Sequence, residues 1–373
     1  MRGRQVSSRR SRLRVKLDPR SYDIVIGDGA LEHAAVELVH SGIAPSARLV
    51  VISSRRVLRL HGTKLTGPLR HRQWRVSEVL VPDGERSKSL GMASKLYGAL
   101  TRLQADRTSV LVALGGGVIG DLAGFVAATY LRGIRYVQAP TTLLAAIDSS
   151  VGGKTGVDLA SGKNLVGAFH QPRLVLTDLS TLRTLPRRQI RSGLYEAIKC
   201  AVIADRRLFR WIEDDLDALL AASVASTRRL VLRCCAIKAD VVERDEREGG
   251  LRRILNFGHT FGHAVEAELN YRRFTHGEAV GLGMIMASEL ASRLGLLAPP
   301  KKNRISELIR SVGPLPRCDD LRAESIYRRM IGDKKTRSGL IHFILPRRIG
   351  EVEVRADVPR AAVISTLQQF GIK

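Results

Sequence analysis

Short apolar runs alternate with amphipathic segments through the first half of the chain. Four of these runs have the length and apolar character of buried strands: residues 48–52, 77–81, 109–114 and 135–139. Segments with helical periodicity separate them, the longest over residues 89–103. Buried strands that alternate with crossover helices are typical of a parallel sheet, so we predict a Rossmann-like α/β domain for this half.

From about residue 185 the apolar positions recur every three or four residues, which indicates helices. Four such segments follow one another, at residues 189–203, 224–242, 257–269 and 279–294. A small hairpin over residues 341–354 is the exception. We therefore predict a basic tail over residues 1–14, an α/β domain over residues 15–184 and a mostly α-helical C-terminal domain over residues 185–373.

Composition limits the class and the compartment of the protein. A hydrophobic fraction of 44% with 26% charged residues is typical of a folded globular chain. No apolar run approaches the roughly 20 residues of a membrane-spanning helix, and the start carries no apolar signal segment. The four cysteines form no CxxC pair, and Cys234 and Cys235 are adjacent. We therefore expect a cytoplasmic protein with reduced thiols and no membrane partner.

The charge is unusual, because 61 Lys and Arg against 36 Asp and Glu give a formal net charge of +25. Such an excess is compatible with nucleic-acid binding. However, the arginines are spread along the whole chain and few aromatic residues lie among them, which argues against that function. The dense run over residues 1–14 holds six arginines and no acid. We interpret it as a solvated tail, with a transit peptide or a polyanion-binding arm as the alternatives.

A glycine-rich turn follows the third predicted strand. Residues 115–121 read GGGVIGD and precede a helix predicted over residues 122–129. Such a turn brings backbone N–H groups close to a phosphate at the positive end of a helix, so it predicts a nucleotide-binding site. The alternative is a glycine turn that only tightens the corner. Thr141 and Thr142 offer hydroxyls at the end of the next strand.

Two further segments are rich in glycine, lysine and small hydroxyl residues. Residues 148–158 read DSSVGGKTGVD, and residues 162–164 read GKN. We predict loops here that hold anionic oxygens and line a pocket, because their apolar neighbours Val166, Ala168 and Phe169 do not fit a freely solvated segment. The alternative is a flexible loop without a ligand.

Three of the nine histidines lie within residues 255–278. His259 and His263 are four residues apart and share one helix face, which suits two ligands of one metal or one ligand beside a proton carrier. His276 begins the next helical pattern and can fold back towards them. The alternative is a set of cap or core histidines. A glycine stands beside each histidine, and since glycine costs roughly 1 kcal/mol in a helix, we interpret these glycines as room for a substrate.

A catalytic metal usually has three protein ligands and one open position. Glu196 is the best candidate for a carboxylate ligand, because it lies among apolar residues, where an unpaired glutamate is costly. The alternative is a surface ion pair of Glu196 with Lys199. Further cations and an amide follow in the same half: Lys238, Arg252, Asn256, Lys334 and Lys335. Unless these are ordinary solvated groups, they predict a substrate that carries phosphate or carboxylate.

Nine motifs occur in order: PDGERSK at 82–88, GGGVIGD at 115–121, PTT at 140–142, DSSVGGKT at 148–155, GKN at 162–164, EAIK at 196–199, NFGHTFGH at 256–263, HGE at 276–278 and DKK at 333–335. With them the chain resembles the 3-dehydroquinate synthase family, a branch of the sugar phosphate cyclases with a glycerol-dehydrogenase-like fold. The resemblance covers nearly everything from about residue 17. Any one motif is weak, but nine in this order are highly specific.

The resemblance implies an N-terminal NAD-binding domain, a mostly helical C-terminal domain, NAD, and one divalent metal, Zn or Co. The implied metal ligands are Glu196, His259 and His276, with His263 as a proton carrier. The residues implied to contact NAD are Asp83, Gly84, Glu85, Arg86, Ser87, Lys88, Gly117, Val118, Ile119, Gly120, Asp121, Thr141, Thr142, Lys154, Lys163, Thr181, Leu182, Arg183 and Thr184. The residues implied to act on the substrate are His263, Lys154, Lys199, Asp148, Asn164, Arg132, Lys238, Arg252, Asn256, Lys334 and Lys335.

The family converts 3-deoxy-D-arabino-heptulosonate 7-phosphate into 3-dehydroquinate and phosphate, on the shikimate route to chorismate and the aromatic amino acids. In the implied mechanism the metal acidifies a ring hydroxyl and NAD removes and later returns a hydride. Phosphate leaves by elimination, and an intramolecular aldol step closes the carbocycle. The cofactor ends as it began, so the resemblance implies a carbon–oxygen lyase that acts on phosphates.

Two alternatives keep the same fold. Another sugar phosphate cyclase would retain NAD and metal but alter the residues that recognise the substrate carboxylate. A metal-dependent polyol or glycerol-phosphate dehydrogenase would release NADH in stoichiometric amounts. As partners, the resemblance implies a small anionic sugar phosphate and a second copy of the chain in a homodimer. The arginine-rich tail matches no motif of the family.

Overall fold

The computed structural model describes residues 10–332 and 340–373. The chain falls into two compact units: a first unit of Met1–Leu185 and Val224–Glu243, and a second unit of Pro186–Ser223 and Arg244–Lys373. Lys334, Lys335 and the first nine residues of the predicted tail lie outside the described residues. In the part of the chain that is described, no helix combines the length and apolar character needed to cross a membrane.

The first unit is built around a largely parallel sheet. Its described residues form nine strands: β1 (Ser11–Val15), β2 (Tyr22–Gly27), β3 (Arg48–Ser54), β4 (Arg75–Val81), β5 (Val110–Gly115), β6 (Arg135–Pro140), β7 (Lys154–Leu159), β8 (Gly162–Phe169) and β9 (Leu174–Asp178). Seven of these described strands form one sheet in the order β1-β2-β9-β6-β5-β3-β4. From β2 to β4 all neighbours are parallel, which confirms the Rossmann-like prediction.

The central strands β3, β5, β6 and β9 are buried along nearly their whole length because helices cover both faces of the sheet. On β5, Val112 and Leu114 join one buried apolar cluster, whereas Leu111 and Ala113 join another on the opposite face. The helices of this part of the unit are α1 (Ala34–His40), α2 (Arg55–Val57), α3 (Thr63–His71), α4 (Leu90–Arg102) and α5 (Gly117–Thr129). Helix α5 begins five residues before the predicted start, so most of the glycine-rich motif is helical.

The end of the predicted tail is an edge strand. Strand β1 pairs antiparallel with β2, and its Val15 is buried. Arg12 and Arg14 lie 2.8 and 3.0 Å from the carboxylate oxygens of Asp23, and Arg12 also contacts Glu37. Residues 11–14 therefore belong to the sheet rather than to a solvated segment, because their arginines alternate with apolar residues and find acids on the neighbouring elements.

Strands β7 and β8 form an antiparallel hairpin that includes residues 154–158 and 162–164, where the sequence pattern predicts loops. The glycines that suggested flexibility instead let the two strands approach closely. A Cβ atom on Gly167 would lie 2.2 Å from the carbonyl oxygen of Thr155, and one on Gly156 would lie 2.8 Å from that of Val166. The loop prediction was therefore wrong for these residues.

The rest of the chain is mostly helical, as predicted. Its helices are α6 (Arg187–Ala204), α7 (Arg206–Asp214), α8 (Leu216–Leu220), α9 (Val224–Arg244), α10 (His259–Glu268), α11 (His276–Arg293), α12 (Pro299–Val312), α13 (Ala323–Ile331) and α14 (Arg360–Gln369). Strands β10 (Phe343–Arg348) and β11 (Glu351–Arg355) form the predicted hairpin. Residues 224–243 of α9 group with the first unit, whereas the sequence pattern placed them in the second domain.

Candidate active site

Three helices of the second unit bring four polar side chains together. Glu196 lies on α6, His259 and His263 lie on the first two turns of α10, and His276 is the first residue of α11. The ligand atoms of the three histidines all lie within 4.8 Å of one another. The Nε2 atoms of His259 and His276 lie 3.8 and 3.4 Å from Oε1 of Glu196. The structure thus places the four residues in one cluster.

The other ring nitrogen of two of these histidines faces a hydrogen-bond acceptor. Nδ1 of His259 lies 3.2 Å from the carbonyl oxygen of Phe257. Nδ1 of His276 lies 3.3 Å from Oε2 of Glu266. A proton on each Nδ1 leaves the Nε2 lone pairs directed at Glu196. The two Nε2 atoms and Oε1 of Glu196 then face one another as acceptors. This arrangement is favourable only with a cation among them.

The spacing and chemistry of these atoms fit a divalent metal. Bonds of about 2.0–2.2 Å in a tetrahedral site place ligand atoms roughly 3.4 Å apart. Glu196 is 0% exposed, and neither carboxylate oxygen accepts a well-directed hydrogen bond from a described residue. Lys199 is 1% exposed, and its Nζ atom forms an ion pair with Oε2 of Glu196 at 2.5 Å. The surface ion pair considered from the sequence is therefore excluded, because both partners are buried.

The pKa of His276 also indicates that the surroundings of this residue stabilise positive charge. Burial lowers the pKa of His276, but the nearby carboxylates of Glu266 and Glu196 outweigh this effect and raise the pKa to about 10. A divalent cation bound at Nε2 competes with a proton for the same lone pair. The cluster therefore attracts cations at neutral pH.

Glycines set the spacing of the three helices. A Cβ atom on Gly277 would lie 2.0 Å from the carbonyl oxygen of Ser192 on α6, and one on Gly283 would lie 1.9 Å from that of Gly258. Gly262 meets the backbone of α11 at 2.7 Å in the same way. The interpretation of the glycines beside the histidines as room for a substrate was wrong. Neighbouring backbone fills the space that a side chain would need.

The start of α11 is held by a capping box, which fixes the position of His276. The Thr275 hydroxyl accepts from the backbone N–H of Glu278 at 3.3 Å, and the Glu278 carboxylate accepts from the backbone N–H of Thr275 at 2.7 Å. Arg188 binds both oxygens of Glu278 at 2.7 Å. Burial raises the pKa of Glu278, but Arg188 and Thr275 outweigh it and lower the pKa.

A second polar group of this unit surrounds the turn Leu251–Asn256. The carboxylate of Asp245 accepts backbone N–H groups of this segment, among them that of Arg252 at 2.9 Å. The side chain of Arg252 is buried and donates to the carbonyl oxygen of Glu246. Nδ2 of Asn256 donates to Oε1 of Glu248 at 2.8 Å. The two residues predicted to bind an anion are thus held by acids that precede them in the chain.

In the first unit, Lys88 links three of the predicted nucleotide-binding segments. It follows the short helical turn Glu85–Ser87, and its Nζ atom lies 2.6 Å from Oδ2 of Asp121 and contacts Oδ1 of Asn164. Burial lowers the pKa of Lys88, but Asp121 outweighs it and raises the pKa. Asn164 takes a left-handed backbone conformation with φ +54° and donates its N–H to Asp158 at 2.8 Å.

The remaining predicted nucleotide-binding residues lie at the carboxyl ends of strands or in short turns. Gly117, Val118, Ile119, Gly120 and Asp121 open α5, whose N-terminus no side chain caps. Asp83 and Gly84 precede the Glu85–Ser87 turn, which holds Arg86, and Lys163 lies 3.3 Å from Glu85. Thr141 and Thr142 follow β6, Lys154 begins β7, and Thr181, Leu182, Arg183 and Thr184 belong to the turn Leu179–Thr184.

Five predicted substrate-binding residues lie in the first unit: Lys154 and Asn164, described above, and Arg132, Asp148 and Lys238. Lys238 on α9 donates to the carbonyl oxygen of Asp148 at 2.7 Å and contacts its carboxylate. Arg132 is exposed and has φ +65°, next to Leu131 with φ +50°. Two successive left-handed residues without glycine are strained, which places Arg132 in a specific and unusual backbone conformation.

Sequence reasoning missed two acids of the second unit. Glu266 lies three residues after His263 and seven after His259, a spacing that keeps all three on one helix face. That spacing was a usable signal. Glu248 lies in a turn of mixed charge, where its composition gives no signal.

The comparisons with known proteins agree along nearly the whole chain. The family model for 3-dehydroquinate synthase N-terminal matches residues 78–192, and that for 3-dehydroquinate synthase C-terminal matches residues 193–336. A 3-dehydroquinate synthase of Pelotomaculum thermopropionicum is 48% identical over 354 residues, which cover 95% of each chain.

Two solved structures of related synthases have the same fold. The 2-epi-5-epi-valiolone synthase of Streptomyces hygroscopicus subsp. jinggangensis, solved with NAD+ and Zn2+ bound, is 29% identical with a TM-score of 0.85, covering 95% of this chain and 98% of that one. A 2-deoxy-scyllo-inosose synthase complexed with carbaglucose-6-phosphate, NAD+ and Co2+ is 27% identical with the same TM-score, covering 96% and 100%.

Proposed function

The chain belongs to the 3-dehydroquinate synthase family, and on that premise we propose how its own residues divide the work of the reaction. The protein is a carbon–oxygen lyase of the shikimate pathway. It converts 3-deoxy-D-arabino-heptulosonate 7-phosphate into 3-dehydroquinate and phosphate, with NAD and one divalent metal, Zn or Co, as cofactors.

One observation carries the metal assignment. The Nε2 atoms of His259 and His276 lie 3.8 and 3.4 Å from one carboxylate oxygen of the buried Glu196, so Glu196, His259 and His276 would hold the metal. When bound, the metal and NAD supply polarisation of a substrate oxygen and reversible acceptance of a hydride. Lys199 lies 2.5 Å from the second carboxylate oxygen of Glu196 and balances its negative charge in a buried environment.

His263 would move a proton rather than bind the metal. Its ring centroid lies 5.1 Å from that of His259 and 5.6 Å from that of His276, beside both proposed ligands. The other two histidines, His259 and His276, direct their Nε2 atoms at Glu196, which supports their assignment as metal ligands. An imidazole in this position can accept a proton from the substrate and return it.

The anionic groups of the substrate would be bound by the cationic and amide side chains described above. Arg252 and Asn256 are held in place by backbone and acid contacts, so they present preorganised donors to a carboxylate. The same role towards phosphate and carboxylate oxygens is proposed for Lys154, Lys238, Asn164, Arg132, Lys334 and Lys335. Asp148 would orient Lys238 through the contact between them.

NAD would be bound by the first unit. The N-terminus of α5 directs its first N–H groups at a pyrophosphate, as in other strand–glycine–helix motifs. Lys88, Asp121 and Asn164 would keep the segments around the nucleotide together through their mutual contacts. The turn Leu179–Thr184 is proposed to complete the site, with its Thr184 hydroxyl 3.0 Å from Nε2 of His61.

We further propose a cytoplasmic homodimer without a nucleic-acid partner. The four cysteines are buried and form no disulfide among the described residues, which suits a reducing compartment. Arg12 and Arg14, part of the basic run, are paired with Asp23, and this pairing supports a structural use of some of the positive charge. The domain boundary proposed at residues 184–185 is supported by the end of the first segment of the first unit at Leu185, one residue later.

A single assay tests the proposed function. The purified protein is supplied with 3-deoxy-D-arabino-heptulosonate 7-phosphate, NAD and Zn2+, and phosphate release and dehydroquinate formation are followed together. We expect both products in equal amounts without net NADH. Net NADH without phosphate would overturn the lyase assignment. Sedoheptulose 7-phosphate and glucose 6-phosphate serve as control substrates, and faster turnover of either would indicate another sugar phosphate cyclase.

A further inference from the structure

Glu266 is a buried acid that the proposed reaction does not use. It lies on α10, is 4% exposed, and occupies the same helix face as His259 and His263. Its Oε2 atom lies 3.3 Å from Nδ1 of His276, the first residue of α11. A buried carboxylate is costly unless it accepts hydrogen bonds or faces a positive charge, so this contact is part of what keeps Glu266 in place.

The two proposed histidine ligands differ in what holds their outer nitrogen. His259 donates Nδ1–H to the carbonyl oxygen of Phe257, two residues before it in the chain. The neighbouring backbone therefore sets its ring orientation. His276 stands at the first position of its helix, and Glu266 from another helix fills the corresponding role. The orientation of the His276 ring thus depends on a side chain that mutation can remove.

We propose that Glu266 is a positioning residue of the metal centre, whose carboxylate accepts a hydrogen bond from Nδ1 of His276 and directs the Nε2 lone pair towards Glu196 and the metal. This inference rests on the proposed function, because it presupposes a metal held by Glu196, His259 and His276. A carboxylate behind a histidine ligand fixes its tautomer and makes its ring a stronger electron donor.

Charge supports a carboxylate at this position rather than a neutral acceptor. The contact between Glu196 and Lys199 neutralises one acid with one base inside the cluster. A divalent cation added there brings two positive charges into a buried environment. Glu266 supplies a further negative charge one ring away from the metal, which reduces the cost of burying that cation.

Glu268 provides a matched control on the same helix. It lies two residues after Glu266 on α10, and its carboxylate accepts from Ser325 at 2.6 Å and from Arg329 at 3.0 Å. Replacing it removes one glutamate charge from α10 without touching the histidines. A general loss of helix stability would affect both positions alike, whereas a role at the metal affects Glu266 alone.

The test compares the wild-type chain with Glu266→Gln, Glu266→Ala and Glu268→Gln. Zn2+ affinity is measured by competition with a chelator, and the visible absorption of the Co2+-loaded proteins reports the ligand field. Loss of a carboxylate behind a histidine ligand typically weakens metal binding about 10- to 100-fold. We expect the lower end for Glu266→Gln, which keeps an acceptor, and the upper end for Glu266→Ala. The Co2+ absorption bands should shift in Glu266→Ala and stay unchanged in Glu268→Gln.

The outcomes separate the inference from the function on which it rests. Wild-type affinity within twofold in both Glu266 variants would overturn the role of Glu266 and leave the metal centre standing. An equal loss in Glu268→Gln would likewise overturn it, because the effect would then belong to the helix. If the wild-type chain bound no stoichiometric Zn2+ or Co2+, the metal centre itself would be overturned. Should Glu266→Ala fail to fold, the isosteric Glu266→Gln decides between these outcomes.

Discussion

The nucleotide region of the first unit and the histidine cluster of the second unit handle charge in opposite ways. In the first unit the lysines are already matched by acids: Lys88 with Asp121, Lys163 with Glu85, and Lys238 with Asp148. In the second unit, acceptor atoms face one another around Glu196, whose oxygens accept no well-directed hydrogen bond from the described residues.

This difference indicates how much each region depends on its ligand. The charge of a lysine paired with an acid is compensated without a ligand. Such a lysine can still replace part of its contact with the acid by a contact with a phosphate oxygen. In the histidine cluster Lys199 compensates one oxygen of Glu196, but the other oxygen faces two histidine Nε2 atoms, and these converging acceptors need a cation. We therefore expect bound metal to stabilise the protein strongly, because binding to the native state alone raises stability by mass action. The following predictions challenge or refine this contrast.

The largest effect should come from the spacing of the helices in the histidine cluster. Gly283→Ala places a Cβ atom 1.9 Å from the carbonyl oxygen of Gly258, so the two helices must separate. We expect a loss of unfolding free energy of about 3 kcal/mol or more, measured by urea denaturation. Gly91→Ala in α4 is the control, because its Cβ meets no atom within 4 Å. It should be neutral or stabilise by up to about 1 kcal/mol. Similar losses in both variants would contradict the packing role.

The next largest effect should distinguish the role of His259 from that of His263. Structural zinc sites with four protein ligands bind the metal with roughly 10–16 kcal/mol, or about 3 kcal/mol per ligand, so His259→Ala should weaken metal binding by about 3 kcal/mol, a loss of about 100-fold. His263→Ala should retain the metal and lose turnover. Metal content by atomic absorption, after dialysis against a weak chelator, distinguishes the two variants. Equal release of metal from both would show that His263 is a ligand as well.

A smaller effect should follow from breaking a pair in the nucleotide region. Asp121→Asn removes the acid beside the buried Lys88 and leaves its charge with less compensation. We expect a loss of roughly 2 kcal/mol in unfolding free energy with unchanged metal content. Glu78→Gln, which breaks an exposed pair with Arg70, should change stability by less than about 0.5 kcal/mol. Loss of metal in Asp121→Asn would contradict the independence of the two regions.

The smallest effect concerns an acid of α10 that has its full set of donors. Hydrogen bonds from Ser325 and Arg329 outweigh burial and lower the pKa of Glu268. A lowered pKa in the folded state means that the carboxylate stabilises the protein above its unfolded pKa of about 4.3 and loses this effect as the pH falls. The stability difference between wild type and Glu268→Gln should therefore be up to about 1 kcal/mol at pH 7 and smaller at pH 3. Denaturation at both pH values measures it, and a difference that grows in acid would refute the sign.

Much of the fold can be predicted from the sequence because buried parallel strands appear in it as short, continuous apolar runs. Val110–Gly115 is apolar along its length since helices cover both faces, and β3 and β6 show the same pattern closely enough to be found, whereas the edge strand β4 buries only Val81. Hairpin β7–β8 was missed because its glycines mimic loop composition. Those glycines are required by the approach of one strand to the other, which is a property of the pair and not of either segment.

The site was partly predictable for a similar reason. Histidine and a glutamate among apolar residues are rare enough to attract attention, so Glu196, His259, His263 and His276 were found from composition and spacing. The division of roles between His259 and His263 came from the family resemblance, because a four-residue spacing fits either assignment. Glu266 escaped notice because glutamate is common on helices, although its spacing from His259 and His263 and its contact with His276 both distinguish it from Glu268.

The glycines of the histidine cluster have a consequence for how this region opens. Gly262 in α10 and Gly277, Gly281 and Gly283 in α11 each lower intrinsic helix stability by about 1 kcal/mol relative to alanine. Neither helix is then expected to persist without the other, because their close contact supplies what their composition lacks. Their amide protons should exchange with solvent through one shared cooperative opening, and any ligand that joins the two helices should slow exchange along both at once.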